Sequence, residues 1–393
     1  MTLICLGLIA AAFLISTPAT WIARNVGHRF GALDSPGSPG HVKVLRPVPN
    51  TGGFAIFAAL VLPLLAALAA AHWGSEPLFP ADLIPHLAGI RAKTTLALTF
   101  LACLLFLHAA GAIDDRRALP AGLKAAVMLA AALAISSFGD GTRLVTFLDP
   151  HVGGPWLSIL ITTLWIVAVT NAMNFIDNMD GLSGGVGAIA ASCFLAAALL
   201  HGQWFVAACL ALLIGALLGF LVFNYPRLPH GDSKGGATIF MGDSGSIVLG
   251  FTLAFLTVRT TYLAEPGATT PEGHPIPAGG WYALFMPLVI LAVPVYDIVS
   301  VTLIRLRLGK SPLVASPHHL SHRLVSYGLS KRDAVVVIWG LTAITGLSGV
   351  VLGSLAPWQA VLAAGQVLLM FLVLALLEIK LANRSTNPPH HNS

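Results

Sequence analysis

Charge is what this chain has least of. Asp, Glu, Lys and Arg make up 9% of its 393 residues, while 56% are hydrophobic. A soluble domain of this size would carry about 25% charged residues, so a water-solvated globule is excluded. Cysteine is scarce too. Cys5, Cys103, Cys193 and Cys209 all fall inside apolar stretches, with neither a disulfide framework nor a zinc-ligand spacing, and read as packing residues. There is no internal repeat, low-complexity tract or soluble domain. The first apolar run lacks the positive n-region of a cleaved signal peptide, so it is expected to stay as a helix.

What the chain does have is apolar runs. A membrane-spanning helix needs about 20 such residues. Runs near 2–22, 51–72, 94–113, 123–138, 155–173, 184–200, 203–223, 246–264, 281–304, 334–353 and 357–379 approach or meet that length. They predict an all-α polytopic membrane protein with about eleven transmembrane helices. Threaded so that loop 23–50 is cytoplasmic, all the Lys and Arg residues except Arg91, Lys93, Arg143 and Arg259 fall on the cytoplasmic side. That is the usual bias of positive charge. It puts the N-terminus outside and the C-terminus in the cytoplasm. Residues 1–382 are expected to form one integral-membrane domain, with 383–393 a disordered polar tail. The net charge of +5 follows from this topology and gives no reason to invoke nucleic acid.

Four polar clusters interrupt the runs, each after an odd number of crossings, so all share the cytoplasmic face. The first is Asp114-Asp115 with Arg116, Arg117 and then Lys124. Adjacent carboxylates repel unless a cation or proton holds them. Mg²⁺ is a natural partner, and a solvated turn between topogenic arginines is the plainer alternative. In the second cluster Asn171, Asn174, Asp177 and Asp180 recur at intervals of three before Gly181. Neighbours in that series meet on a helix, whereas the whole series drifts around it. Two carboxylates and two carboxamides can hold a metal, pair with a nucleobase or orient a phosphate, and an ordinary polar loop is the alternative. Carboxylates beside a span are expensive, about 2.5–3.5 kcal/mol each near its centre.

The third cluster is Asn224, then Phe240-Met241-Gly242-Asp243-Ser244-Gly245-Ser246. Small residues at a helix N-terminus permit close approach of an anion, or Asp243 or Ser244 simply caps the helix. The fourth runs from Asp297 through Arg305, Arg307 and Lys310 to His318, His319, His322 and Arg323. It suits phosphate binding or acid–base work. Zinc is the rival reading, although no cysteine or glutamate nearby completes a set. A topogenic basic loop is the plain one. His108 and His201 read as packed or interfacial. Gly184-Gly185-Val186-Gly187 is no Walker loop, because lysine and Ser/Thr are missing.

In order and sidedness these clusters resemble the polyprenyl-phosphate N-acetylhexosamine-1-phosphate transferase family (MraY, WecA and TagO). The resemblance runs from about Asp34 to Leu324. It rests on the Asp114-Asp115 pair, N-x-x-N-x-x-D-x-x-D-G as Asn171 to Gly181, and F-M-G-D-x-G-S as Phe240 to Ser246. Asp34-Ser-Pro36 and Pro47 to Gly53 look like the family's first cytoplasmic loop, with a loose match to its basic motif around His41 and Lys43. The chain departs from the pattern at Ser321, where a histidine often stands, and at Arg227 to Gly236, which looks inserted. The histidine pattern, His319-Leu-Ser321-His322, is closer to the WecA/TagO branch.

The resemblance implies an enzyme of the bacterial inner membrane with its site facing the cytoplasm. It would move an N-acetylhexosamine 1-phosphate, with GlcNAc-1-phosphate the leading choice, from a UDP-sugar to undecaprenyl phosphate. UMP would leave, and the polyprenyl-diphospho-sugar would serve cell-envelope polysaccharide synthesis. Asp114, Asp115, Asp180, His319 and His322 are the implied catalytic residues. Lys124, Asn171, Asn174, Asp177, Asn224 and Arg323 are implied to bind substrate, and Asp243 to hold Mg²⁺, with Mn²⁺ as the alternative ion. Implied partners are a UDP-N-acetylhexosamine, undecaprenyl phosphate, membrane lipid and, as a homodimer, a second copy. A lipid-diphosphate hydrolase would use the same residues without a UDP-sugar. A secondary transporter would place its charges nearer the membrane midplane.

Overall fold

The computed structural model describes residues 1–33, 47–75, 79, 81–138, 142–225, 236–260, 285–311, 316–352 and 355–386. Asp34 to Pro36, His41, Lys43 and nearly all of the Arg227–Gly236 insertion lie outside them. Among the described residues there is no strand, only an isolated antiparallel bridge between Leu33 and Pro49. The regular elements of the described residues are helices, the protein is multi-pass, and its chain forms two compact units, Met1–Tyr262 and Leu263–Ser393.

The first unit holds α1 (Thr2–Arg29), α2 (Gly52–Trp73), the short α3 (Leu87–Ala92), α4 (Thr94–Asp114), α5 (Ala121–Phe138), α6 (Trp156–Ile176), α7 (Leu182–Leu200), α8 (Trp204–Asn224) and α9 (Asp243–Thr260). The second holds α10 (Met286–Ile290), α11 (Ala292–Arg307), α12 (Leu320–Ser326), α13 (Lys331–Leu352) and α14 (Pro357–Thr386). Nine helices among the described residues are long and apolar enough to cross a membrane: α1, α2, α4 to α8, α13 and α14. The other two expected spans fall on α9 and on α10 with α11. Helix α14 continues to Thr386, into the stretch expected as a tail.

Helix α9 explains its own modest hydropathy. It carries Ser, Gly and Thr, and every residue from Ser244 to Val258 is buried. With α2, α4, α6 and α7 packed around it, it does not need a lipid-soluble surface. Close helix contact in a membrane favours small residues, because lipid offers no hydrophobic drive for association. On α8, Gly215 and Gly219 face α1, and a Cβ on Gly215 would collide with the Ile9 carbonyl oxygen. The hydroxyl of Ser16 donates to the Ala216 carbonyl at 2.6 Å in the same crossing. In the second unit, α13 approaches α10 where Gly349 faces Ile290, and Tyr296 of α11 stacks on Phe371 of α14 with ring centroids 4.7 Å apart.

This packing gathers several helix ends at the start of α9. Gly111 of α4 lies against the Ser244 backbone, and Gly53 of α2 against Gly245. The first N–H groups of α2 donate to the loop before α9, Gly52 to the Phe240 carbonyl and Gly53 to that of Met241, each at 2.9 Å. Two unsatisfied helix donors are thereby used to fix a loop.

Candidate active site

At the start of α9 the first, second and third sequence clusters meet. Lys124 of α5 is the bridge. Its Nζ lies 2.5 Å from Asp114 Oδ2 and 2.5 Å from Asp243 Oδ2. One ammonium thus serves two carboxylates, which would otherwise repel. Asp114 also accepts from the Leu119 N–H at 2.6 Å, a local bond that fixes the turn between α4 and α5. The other oxygen of Asp243, Oδ1, accepts from Asn174 Nδ2 at 2.7 Å, and the same amide reaches Ser246 Oγ at 2.8 Å.

The two members of the Asp-Asp pair do different things. Asp115 turns to the N-terminus of α9, where Oδ1 accepts from the Asp243 N–H at 2.7 Å and Oδ2 from the Ser244 N–H at 3.1 Å. A carboxylate there caps orphan donors and meets the positive end of the helix dipole. Gly242 makes room for it. Its φ is +72°, and a Cβ would fall 2.6 Å from Asp115 Oδ2. Burial pushes the Asp115 carboxyl up to about 7, and the neighbouring Asp243 charge acts in the same direction, against the two N–H bonds.

The Asn171–Asp180 series divides likewise. Asn171 and Asn174 lie on α6, Asp177 caps its end, and Asp180 lies in the loop beyond. Asn171 and Asp177 are partly buried. Asp180 Oδ2 accepts from the Ala237 N–H at 3.0 Å. Asn224 is a buried tie, accepting from the Gly181 N–H and donating to the Ile239 carbonyl, each at 2.9 Å. It pins the loop after α6 to the segment that leads into α9. His108 packs as expected, stacked on Phe57 with centroids 4.3 Å apart and its Nδ1 3.1 Å from the Ser244 carbonyl.

The oxygen donors suit a hard cation. Asp114 Oδ2 and Asp243 Oδ2 face one point, where an ammonium already satisfies them. No group of three His, Cys, Asp or Glu side chains among the described residues could hold a metal by itself. Mg²⁺ does not require one, since it commonly takes one or two carboxylates and completes its shell from substrate phosphates and water. The residues present fit that mode of binding.

The fourth cluster lies in the second unit. His319 Nδ1 is 2.7 Å from Asp297 Oδ2, and the Leu320 N–H donates to Asp297 Oδ1 at 2.6 Å. A carboxylate on Nδ1 sets the imidazole's orientation and tautomer. His322 is partly buried on α12. Burial holds His318 below the usual histidine range, and the charges of Lys310, Arg305 and Arg323 push the same way. Arg323 Nε and Nη2 fork onto Glu378 Oε1 and Oε2 at 2.8 and 3.2 Å. Burial alone would lower the affinity of Arg323 for its proton, but Glu378 more than offsets it.

Glu378 was not among the expected site residues. Its signal was a lone carboxylate at the end of the last apolar run, where such groups are costly. Tyr296 gave no such signal, whereas Ser246 already stood in the F-M-G-D-x-G-S signature.

A family model described as Glycosyl transferase family 4 matches residues 97–261, the stretch holding Asp114, Asp115, Lys124, the Asn171–Asp180 series and Asp243. The chain is 31% identical to the probable undecaprenyl-phosphate N-acetylglucosaminyl 1-phosphate transferase of Bacillus subtilis, over 88% of this chain and 83% of the relative. It is 31% identical to the decaprenyl-phosphate N-acetylglucosaminephosphotransferase of Mycolicibacterium smegmatis, over 95% and 87%. Against the undecaprenyl-phosphate alpha-N-acetylglucosaminyl 1-phosphate transferase of Escherichia coli K12 the identity is 27%, over 86% and 81%. On this evidence the chain belongs to the polyprenyl-phosphate N-acetylhexosamine-1-phosphate transferase family, a family of membrane glycosyl-phosphotransferases.

Proposed function

We propose that the protein transfers N-acetylglucosamine 1-phosphate from UDP-N-acetylglucosamine to undecaprenyl phosphate, at the cytoplasmic face of a bacterial inner membrane. The observation that carries this reading is the Lys124 bridge between Asp114 and Asp243 at the N-terminus of α9, inside the stretch matched by the family model.

An oxygen of the acceptor phosphate forms a bond to the sugar-side phosphorus of the donor. The bond from that phosphorus to the bridging oxygen breaks, and UMP leaves with the electron pair. Both reactants are polyanions, so the work lies in positioning them and neutralising their charge. Lys124 holds a fixed positive charge for phosphate oxygens. Asn174 aims Asp243 by its bond to Oδ1, and Asp115 holds the backbone on which Asp243 stands. Asp114 orients Lys124 and is the carboxylate closest to hand for the acceptor's proton. Asn171 on α6, with Asp177 and Asp180 at and beyond its end, offers polar groups to the donor, and Asn224 anchors the loop that carries Asp180. His319 and His322 neutralise phosphate oxygens during transfer. Mg²⁺, or Mn²⁺ in its place, would be held by Asp243 with Asp114 and would draw charge from the diphosphate when bound.

The test is UMP release by the purified protein in detergent with undecaprenyl phosphate, Mg²⁺ and a panel of UDP-sugars. Release that needs both the acceptor and the metal, with UDP-N-acetylglucosamine preferred, is the expected result. Release without acceptor would indicate a hydrolase. Preference for another sugar would correct the donor.

A further inference from the structure

Glu378 sits where the membrane makes a carboxylate expensive, and it is 8% exposed. Its oxygens are fully engaged: Arg323 Nε on Oε1, and Arg323 Nη2 with the Tyr296 hydroxyl on Oε2, the last at 2.7 Å. Its backbone carbonyl accepts from the Tyr327 hydroxyl at 3.1 Å. Three side chains from α11, α12 and the turn after α12 thus converge on one residue of α14.

The other side of the Arg323 guanidinium faces the histidine segment. Nη1 donates to the His318 carbonyl, and Nη2 also donates to Ser300 Oγ at 3.0 Å. A guanidinium has five N–H donors in a rigid fork. Four bonds to protein groups leave little of it for a substrate. The His318 carbonyl precedes His319, whose Nδ1 is tied to Asp297. The guanidinium is therefore placed to set the backbone from which His319 projects, and Glu378 to set the guanidinium.

We propose that Glu378 is a positioning residue for the transfer: through Arg323 it fixes the His318–His319 turn, and Arg323 itself is a strut and not a phosphate ligand. This rests on the transferase reading for its effect on rate. Its structural half can be tested without activity.

The experiment combines two readouts on Glu378→Gln, Arg323→Gln, the double variant and Tyr296→Phe. The first is the rate at which diethyl pyrocarbonate modifies His319, followed by mass spectrometry. His319 is 7% exposed; the equally buried His108, 6% exposed, reports whether the first unit stays folded, and the thermal unfolding of each variant by circular dichroism reports on the second. The proposal expects faster labelling of His319 in Glu378→Gln with His108 still protected. Unchanged His319 labelling in Glu378→Gln and Arg323→Gln would overturn it. If unfolding obscures these variants, a further variant, Arg323→Lys, decides, because it keeps the charge facing Glu378 and removes the fork that reaches the His318 carbonyl; there, faster His319 labelling than in Tyr296→Phe, which keeps both Arg323–Glu378 bonds, supports the proposal and unchanged labelling overturns it.

The second readout is the kinetics of UMP release. A lost strut should lower kcat by about tenfold, with the KM for the UDP-sugar within about twofold. Because Glu378 acts through Arg323, the double variant should be no worse than Arg323→Gln alone. Additive losses, or a large rise in KM in Arg323→Gln alone, would make Arg323 a substrate ligand and refute the strut. A wild-type protein that released no UMP would fail the transferase reading alone, since the labelling result would still stand.

Discussion

Substituting Asp115 by Asn separates two roles that an adjacent carboxylate pair can play. Both Asp115 oxygens are occupied by N–H groups of α9, those of Asp243 and Ser244. Asparagine keeps one acceptor oxygen and presents an NH₂ to the other N–H, so one charge-assisted bond is lost and two donors oppose each other. A hydrogen bond to a charged group contributes about 1.5–3 kcal/mol, and a carboxylate at a helix N-terminus about 0.3–2 kcal/mol through the dipole. The burial and the Asp243 charge that raise the Asp115 pKa offset the charge-dependent part of these gains, so a net loss of about 1–3 kcal/mol follows, carried by the buried N–H left facing the new NH₂. Asp243 stands on the backbone that Asp115 holds, so turnover falls with stability. Thermal unfolding in detergent and UMP release should be measured on the same preparation. The expected result is a lower Tm together with a lower kcat. An unchanged Tm with turnover abolished would refute the capping argument and make Asp115 a group that acts on substrate.

Further outcomes follow from the same geometry. Asp243→Asn should abolish UMP release with only a partial loss of Tm, because the Asn174 amide can reverse to meet the new side chain and Lys124 keeps Asp114 while losing its second carboxylate; near-normal release would remove Asp243 from the metal-holding role. Lys124→Met should leave Asp114 and Asp243 facing each other without a cation, with kcat down by about a hundredfold because the fixed positive charge for phosphate oxygens is gone; activity within a few-fold of wild type would rule out the bridge as a working part. EDTA should stop UMP release and added Mg²⁺ restore it, whereas EDTA-insensitive release would leave neutralisation to Lys124 and the histidines. Gly215→Ala should lower Tm without a selective change in KM, because its Cβ meets the Ile9 carbonyl oxygen of α1, and overpacking typically costs about 1–3 kcal/mol.

How much of this was legible in the sequence depended on what kind of neighbour each residue has. Spans facing lipid had to be apolar, so α1, α2, α4 to α6, α13 and α14 stand out in any reading of hydropathy, and α7 and α8 stand out with them because their largely buried faces are filled with apolar residues. Helix α9 is different. Its partners are other helices, its composition shifts toward Ser, Gly and Thr, and hydropathy alone does not bring it to the level of the other nine. The break at Leu291 between α10 and α11 was equally invisible, since both flanks are apolar. The glycines of α8 could have been flagged as small residues four apart, yet nothing in the sequence says that α1 is what they face.

The site was legible as a set of residues but not as a set of partners. Charge in an apolar chain has to be accounted for, and that alone singled out Asp114, Asp115, Lys124, Asp177, Asp180, Asp243 and Arg323. Roles come from contacts between residues far apart in the chain, and those contacts divide what the sequence presents as uniform. Asp114 and Asp115 are neighbours, yet one faces an ammonium and the other a helix terminus. Asn174 and Asn224 are both carboxamides, yet one aims a carboxylate while the other ties two loops together. Asn171 to Asp180 looks like one series at intervals of three, but the helix ends within it. Asn174 therefore reaches Asp243, and Asp180 instead receives the Ala237 N–H. Identical spacing does not give identical function once a helix terminates inside the motif. Testing Asn174 and Asp180 separately is accordingly more informative than deleting the series.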